Sequence, residues 1–265
     1  MKSAISLHIA LDSVNPSGYA GWSGFLQSCE LDARDMSKIA ISKNYTAFSY
    51  ILTKDATVAN VVDKMTSLAQ KLKSGDILFL SYSGHGGQVP DRNGDEPDRM
   101  DETWCLYDRM MIDDEIYALL GKFRRGVRIF VLSDSCHSGT VLRAVSSDLA
   151  VGRIVPPADN LKIYKANRKM YDKIQAETKP RAAVRISASV IFISACQDHQ
   201  VASDGPTNGL FTATLKKVWN NGKFSGDYRR FRDMIAAKMP PYQLPGYSEF
   251  GRSLDKFRDQ TPFTP

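Results

Sequence analysis

Hydrophobic positions along this chain switch between two rhythms, and the switches mark the elements. Residues 3–11 alternate polar and apolar side chains, which predicts a first strand rather than the apolar core of an export signal. From Asp32 to Asn44, the residues Met36, Ile39 and Ala40 recur at i, i+3 and i+4, so a helix is expected there. A second strand follows at 48–53. Thr57 then stands as the N-cap of a helix in which Val61, Val62, Met65, Leu68, Ala69 and Leu72 form one apolar stripe.

Two short, largely apolar runs, at 77–80 and 127–132, suit strands buried on both faces. Between them, 103–107 reads as a short strand. Asp113-Asp114-Glu115 opens a helix, where three carboxylates complement the positive end of the dipole. Val190–Ala195 reads as another buried strand. Helices are expected at 209–219 and 227–239, the second stopped by Pro240-Pro241. Strands alternating with helices predict an α/β fold, a mostly parallel central sheet covered on both faces.

With 265 residues there is room for one large domain. The expected layout is a first half at 1–142, a basic connecting segment at 143–189 and a second half at 190–265. Residues 143–185 carry no convincing period and include Pro156-Pro157 and Pro180, so they read as an exposed connection. No stretch reaches the roughly 18 apolar residues that would span a bilayer. With no export signal read, a reducing cytoplasm is the expected compartment, and no membrane association is expected.

Charge refines this picture more by its placement than by its sum. The net charge of +6 is moderate. Between Asp91 and Glu115, however, ten acidic residues face three basic ones, and between Lys162 and Arg185 eight Lys/Arg face two acids. The acidic block reads either as a solvated loop, the default for a run of charge, or as a negative funnel that concentrates cationic peptide segments. The basic block lacks the aromatic interleaving of a nucleic-acid surface, Tyr164 and Tyr171 apart, so nucleic acid is not an expected partner. The four cysteines, Cys29, Cys105, Cys136 and Cys196, are scattered without a C-x-x-C pair. No disulfide is expected, and Cys29, Cys105 and Cys196 read as structural.

The chemistry concentrates in two motifs. Ser83-Gly84-His85-Gly86-Gly87 follows one buried strand, and Asp134-Ser135-Cys136-His137-Ser138-Gly139 follows the other. Functional groups in parallel sheets gather beyond the carboxyl ends of strands, so His85 and Cys136 should share one edge. Cys136 would attack a carbonyl as thiolate, with His85 handling the proton. Backbone N–H groups of Gly86 and Cys136 would hold the developing oxyanion. Zinc is the competing chemistry, with His85, Asp134, Cys136 and His137 as ligands, but adjacent Cys136 and His137 rarely reach one tetrahedral ion. Asp91, Asn93, Asp95 and Glu102 imitate an EF-hand loop, but Glu96 stands where that loop needs glycine.

The pair S-G-H-G and D-S-C-H-S-G resembles the metacaspase branch of the caspase-like cysteine peptidases, prokaryotic forms included. Supporting matches are Cys29–Ala33, Asn93–Glu96, Ile112–Glu115, Ser194–Asp198 and Gly209–Thr212. The 51 residues separating His85 from Cys136 agree with caspases, where the spacing is about fifty. The resemblance implies a caspase-like three-layer sandwich and a thiol protease with His85 as base and Cys136 as nucleophile. It also implies an S1 pocket lined by Asp32, Asp134 and Ser83, hence cleavage after Arg or Lys. Arg143, Arg153, Lys169, Lys179, Arg181 and Arg185 are then candidate sites of self-cleavage within 143–189. Calcium binding in the family uses an aspartate cluster. Asp101, Asp113 and Asp114 match three positions, but Arg143 stands at the fourth, so no cofactor is expected to be required. A monomer is expected. The alternative is a catalytically silent scaffold on the same fold, although nothing in either motif is blunted.

Overall fold

The computed structural model describes residues 2–136, 152–197 and 200–265. In chain order the first elements are β1 (Ala4–Ala10), α1 (Cys29–Ser42), β2 (Ala47–Leu52), α2 (Val58–Lys71) and β3 (Ile77–Ser83). Each falls where the hydrophobic rhythm puts it. Thr57 caps α2 by accepting a hydrogen bond from the Asn60 N–H at 3.3 Å. After β4 (Gly86–Pro90), β5 (Met100–Cys105), β6 (Met110–Ile112) and α3 (Asp113–Gly121), the chain returns to the core as β7 (Arg128–Asp134). Then follow α4 (Pro157–Ala166), α5 (Arg168–Glu177), β8 (Ser189–Ser194), α6 (Leu210–Trp219), α7 (Tyr228–Ala236), β9 (Gly246–Gly251) and α8 (Asp255–Arg258).

The main sheet has the order β2-β1-β3-β7-β8-β9, parallel except for β9. It is the expected mostly parallel sheet. One face packs α2 and α3 through Val61, Met65, Leu119 and Leu120. The other packs α1, α6 and α7 through Met36, Phe211, Leu215 and Phe231. Two core clusters on opposite faces of one sheet make the three-layer arrangement.

Three features depart from the sequence pattern. The short strand expected at 103–107 is β5, and it belongs to a separate antiparallel sheet, β4-β5-β6. Gly86 and Gly87 gave β4 no side-chain period to detect. β9, bounded by Gly246 and Gly251, was likewise not anticipated. The described part of the connecting segment is also not an unstructured connection: it holds α4 and α5. Each helix has only ten residues, too short for a clear period. Even so, Ile163, Tyr164 and Tyr171 are buried against Val14, Tyr19, Val89 and Met110. Arg143 and His137 lie outside the described residues. Among the described residues no helix is long and apolar enough to cross a membrane.

Candidate active site

The sheet register builds the site. β3 and β7 are parallel neighbours with Ser83 opposite Asp134, so the segments leaving both strands emerge side by side. His85 follows one strand and Cys136 the other. Both are buried, at 4% and 0% exposure.

A single residue of the chain's own sequence threads between them. The carbonyl oxygen of Arg153 accepts hydrogen bonds from the backbone N–H of Gly86 and of Cys136, each at 3.2 Å. These are the two donors expected to cradle an oxyanion. The Arg153 N–H donates to the Ala202 carbonyl at 2.8 Å, and the Val155 N–H to the Gly86 carbonyl at 2.8 Å. Gly152 bridges Ser203 antiparallel and Ile154 bridges Gly86 parallel. The segment is therefore held as an extended strand, paired along both edges, as peptides are held by β-augmentation.

The Arg153 side chain enters a wholly buried acidic pocket. Its Nη2 lies 2.6 Å from Asp32 Oδ2 and 2.9 Å from Asp204 Oδ1, and its Nη1 lies 3.0 Å from Asp134 Oδ2. Nη1 also donates to Ser83 Oγ at 2.8 Å and Nη2 to Ser28 Oγ at 2.9 Å. The expected S1 residues Asp32, Asp134 and Ser83 thus converge on one guanidinium. Asp204 and Ser28 join them, and sequence reasoning had not singled them out. The available signal was weak: Asp204 sits beyond the end of the strand neighbouring the Cys136 strand, at the same sheet edge.

Other elements hold these carboxylates in place. The Gly209 N–H and Asn208 Nδ2 donate to Asp32, the latter at 2.9 Å. At the first turn of α6, the Thr212 N–H and hydroxyl both donate to Asp134 Oδ2, at 3.2 and 2.8 Å. A carboxylate at a helix N-terminus is favoured by the dipole. Burial still pushes the Asp134 carboxyl upward, against the pull of Arg153. Burial pushes Asp204 the same way, but its bonds to Ser28, the Gln27 N–H and Arg153 outweigh this and hold it below the usual range. Gly209 leaves the space: a Cβ there would lie 2.6 Å from Arg153 Nη1 and 2.7 Å from Asp134 Oδ2.

His85 stands on the other side of the Arg153–Ile154 peptide bond. It shares with Ile154, Trp22 and Gly24 the wall of a cavity of about 190 Å³. Its Nε2 lies 3.1 Å from the Gly24 carbonyl, so Nε2 carries the hydrogen and Nδ1 is left as the basic nitrogen, without a partner. Burial, with the Arg153 cation adding, lowers its pKa to about 4 and keeps the ring neutral. The ring packs edge-on to Trp22 at 4.7 Å between centroids. Gly24, at φ +52, occupies the left-handed region, and a Cβ there would meet His85 Cδ2 at 3.1 Å. The orienting group that the sequence left unnamed is a backbone carbonyl.

The expectation of four free thiols is corrected. Cys136 is disulfide-bonded to Cys196, with Cα atoms 6.3 Å apart, whereas Cys29 and Cys105 are free and buried. The cause is register: Ser133 pairs with Ser194, so each cysteine lies just beyond its strand on adjacent strands. The Ala202 N–H also points at the Cys136 sulfur.

The acidic block is a second cluster. Carboxylate oxygens of Asp91, Asp95 and Asp101 lie within 4.8 Å of one another, and both oxygens of buried Asp101 lack a hydrogen-bond partner. That donor set fits a hard divalent cation. Asp113 and Asp114 lie near enough to Asp101 for the carboxylates to push one another upward, and both also engage Arg181. Its guanidinium lies 2.8 Å from Glu96 and 3.5 Å from Asp113, and its N–H donates to Asp114.

The caspase domain model of peptidase family C14 matches residues 9–253. Metacaspase-1 of Schizosaccharomyces pombe is 30% identical over 230 residues, covering 72% of this chain and 54% of that protein. Metacaspase-1 of Saccharomyces cerevisiae is 39% identical over 139 residues, covering 47% and 32% respectively. The chain therefore spans about half or less of the length of these relatives. A crystal structure of a Geobacter sulfurreducens protein superposes with TM-score 0.91 at 47% identity, covering 99% of this chain and 98% of that one. Caspase-1 of Spodoptera frugiperda superposes with TM-score 0.54 at 10% identity, covering 93% and 85%, which is a likeness of fold. With a family model spanning most of its length and a metacaspase relative covering nearly three quarters of it, the chain belongs to the caspase-domain family, peptidase C14.

Proposed function

We propose that this protein is a cysteine endopeptidase that cleaves after Arg or Lys and that processes itself at the Arg153–Ile154 bond. The observation that carries the reading is the pose of Arg153, with its side chain among three carboxylates and its carbonyl on the Gly86 and Cys136 N–H groups.

In the reduced enzyme His85 Nδ1 takes the proton of the Cys136 thiol, and the resulting thiolate adds to the carbonyl carbon of the basic residue. Negative charge develops on the oxygen facing Gly86 and Cys136, an arrangement worth about 10²–10³ in rate per donor elsewhere. His85 Nδ1 passes a proton to the departing amine of the next residue, releasing it and leaving an acyl-enzyme on Cys136. The same nitrogen then activates the water that hydrolyses the thioester. A neutral, desolvated ring suits both transfers.

Selectivity follows from the pocket. An aspartate at P1 would bring a fourth carboxylate into a dry acidic site, and a neutral side chain would leave buried charges unpaired, at a cost of several kcal/mol. Basic peptides are the substrates this favours. A divalent cation at Asp91, Asp95 and Asp101 would supply charge neutralisation to the acidic cluster, but no bond-breaking step passes through it. Chelation should therefore leave turnover by the reduced enzyme within about two-fold.

The test is intact-mass analysis of the reduced wild type and of Cys136→Ala, with a panel of fluorogenic P1 substrates. Fragments ending at Arg153 in the wild type alone, and turnover of Arg and Lys over Asp substrates, are expected. Better turnover of Asp substrates, or the same fragments from Cys136→Ala, would overturn the reading.

A further inference from the structure

The mechanism uses Cys136 and leaves Cys196 without a task. We propose that Cys196 is a resolving thiol, so that the Cys136–Cys196 pair is a site of reversible oxidation by hydroperoxides that protects the nucleophile and silences it. The inference rests on the reading of Cys136 as a reactive thiolate, though not on the assignment of the S1 pocket.

Three observations carry it. First, the pairing is written into the sheet. The parallel register of β7 and β8 sets Ser133 beside Ser194, and Cys196 Sγ lies 3.5 Å from the Ser135 carbonyl. The 6.3 Å between the two Cα atoms falls within the range that a disulfide spans without moving backbone. Secondly, the remaining thiols are no alternative, since Cys29 and Cys105 are buried and free. Burial pushes both of those thiols up, away from the reactive thiolate form. Thirdly, the bridge can be reached. Cys196 lines a cavity of about 620 Å³, together with Ser194, Gln197, Phe192, Trp104 and Tyr117. A small reductant entering there meets the Cys196 side of the bond, while the Cys136 side is covered by the Arg153 segment.

The chemistry balances with a hydroperoxide as the oxidant. With the Arg153 segment displaced, the Cys136 thiolate attacks the distal peroxide oxygen, the O–O bond breaks, and an alcohol (water, for hydrogen peroxide) departs after protonation. Cys136 is left as the sulfenic acid. The Cys196 thiolate then attacks that sulfur, the S–O bond breaks, and hydroxide leaves as water once protonated. Two electrons have passed from the sulfur pair to the peroxide. A dithiol reductant reverses the state by exchange at Cys196. Without Cys196 the sulfenic acid persists and a second peroxide converts it irreversibly to sulfinic acid.

The experiment treats reduced full-length protein with hydrogen peroxide, then dithiothreitol, in the wild type, Cys196→Ser and Cys196→Ala. Peptide mapping is the first readout. A Cys136–Cys196 cross-link in the oxidised wild type, lost on reduction, is expected. Recovered turnover is the second, with the wild type regaining about ten-fold more activity than either variant, whose Cys136 is found as sulfinic or sulfonic acid. Equal recovery in all three proteins, or a cross-link to Cys29 or Cys105 instead, would overturn the proposal. If the reduced wild type hydrolyses no basic substrate, the peptidase reading fails, yet the mapping still decides the fate of the thiols. Should both variants misfold, the wild-type map alone decides: the Cys136–Cys196 cross-link supports the proposal, and its absence after peroxide overturns it.

Discussion

Asp134 and Arg153 face each other at 3.0 Å with both side chains buried, joined by a guanidinium that Asp32 and Asp204 also hold. A pocket built for a cation is filled by one from the same chain. Buried ion pairs contribute little net stability, but removing one partner typically costs about 3–5 kcal/mol.

Arg153→Gln should thus abolish cleavage at 153–154 and lower the melting temperature of the unprocessed protein. Arg153→Lys should still be cleaved, more slowly, since its single ammonium cannot reach the Asp134 and Asp204 poles together. Intact mass on Cys136-competent protein, and thermal unfolding compared in the Cys136→Ala background where both chains stay unprocessed, report these outcomes. Fragments of unchanged yield from Arg153→Gln would remove the assignment.

Gly209→Ala places a methyl group where the guanidinium and Asp134 meet. It should reduce kcat/KM for arginyl substrates by about 10² while the fold, followed by circular dichroism, is kept. Equal kinetics for the variant would mean that substrates do not use this pocket.

Gly24→Ala acts on the base rather than the pocket. It forces a non-glycine residue into the left-handed region, drives a methyl group to 2.7 Å from the Trp22 ring that packs on His85, and crowds His85 Cδ2 at 3.1 Å. We expect kcat to fall about 10–10³-fold with KM little altered, because the ring loses its carbonyl partner and its aim. A selective rise in KM would argue against this role.

A stability prediction concerns His8, buried between the hydroxyls of Ser81 at 2.8 Å and Ser6 at 2.9 Å. Burial lowers its pKa from 6.5 to about 3. Below pH 6.5 the unfolded chain takes up a proton that the folded ring refuses, so stability is lost as pH falls from 6.5 toward 3. The slope is about 1.4 kcal/mol per pH unit. The raised carboxylates Asp101 and Asp113 act with the opposite sign, so the comparison must be with His8→Gln. Relative to that variant, the wild type should lose melting temperature on acidification. Parallel pH profiles would refute the prediction.

How much of this was legible beforehand depended on whether a residue acts through local pattern or through distant pairing. His85 and Cys136 announce themselves because a buried strand and a small-residue turn are local signals. Asp32 and Asp134 became readable only with the family resemblance, and Ser28 and Asp204 not at all. Asp204 reaches the guanidinium from a loop 51 residues further along the chain, on the strength of a sheet order that no window reveals. Arg153 was one basic residue among six candidates. What separates it is Gly152 bridging Ser203 on one side and Ile154 bridging Gly86 on the other, both tertiary facts. Cys196 was misjudged for a related reason, since register between parallel strands cannot be counted along the sequence.

The strand pairing on both sides of Arg153 has a kinetic corollary. A tethered segment is present at an effective concentration that short linkers set in the millimolar range. Severing it should be first order and indifferent to dilution, whereas any peptide arriving from outside must wait for that neighbour to let go. Maturation would then run as a clock within each molecule, and enzyme abundance would govern only what happens afterwards.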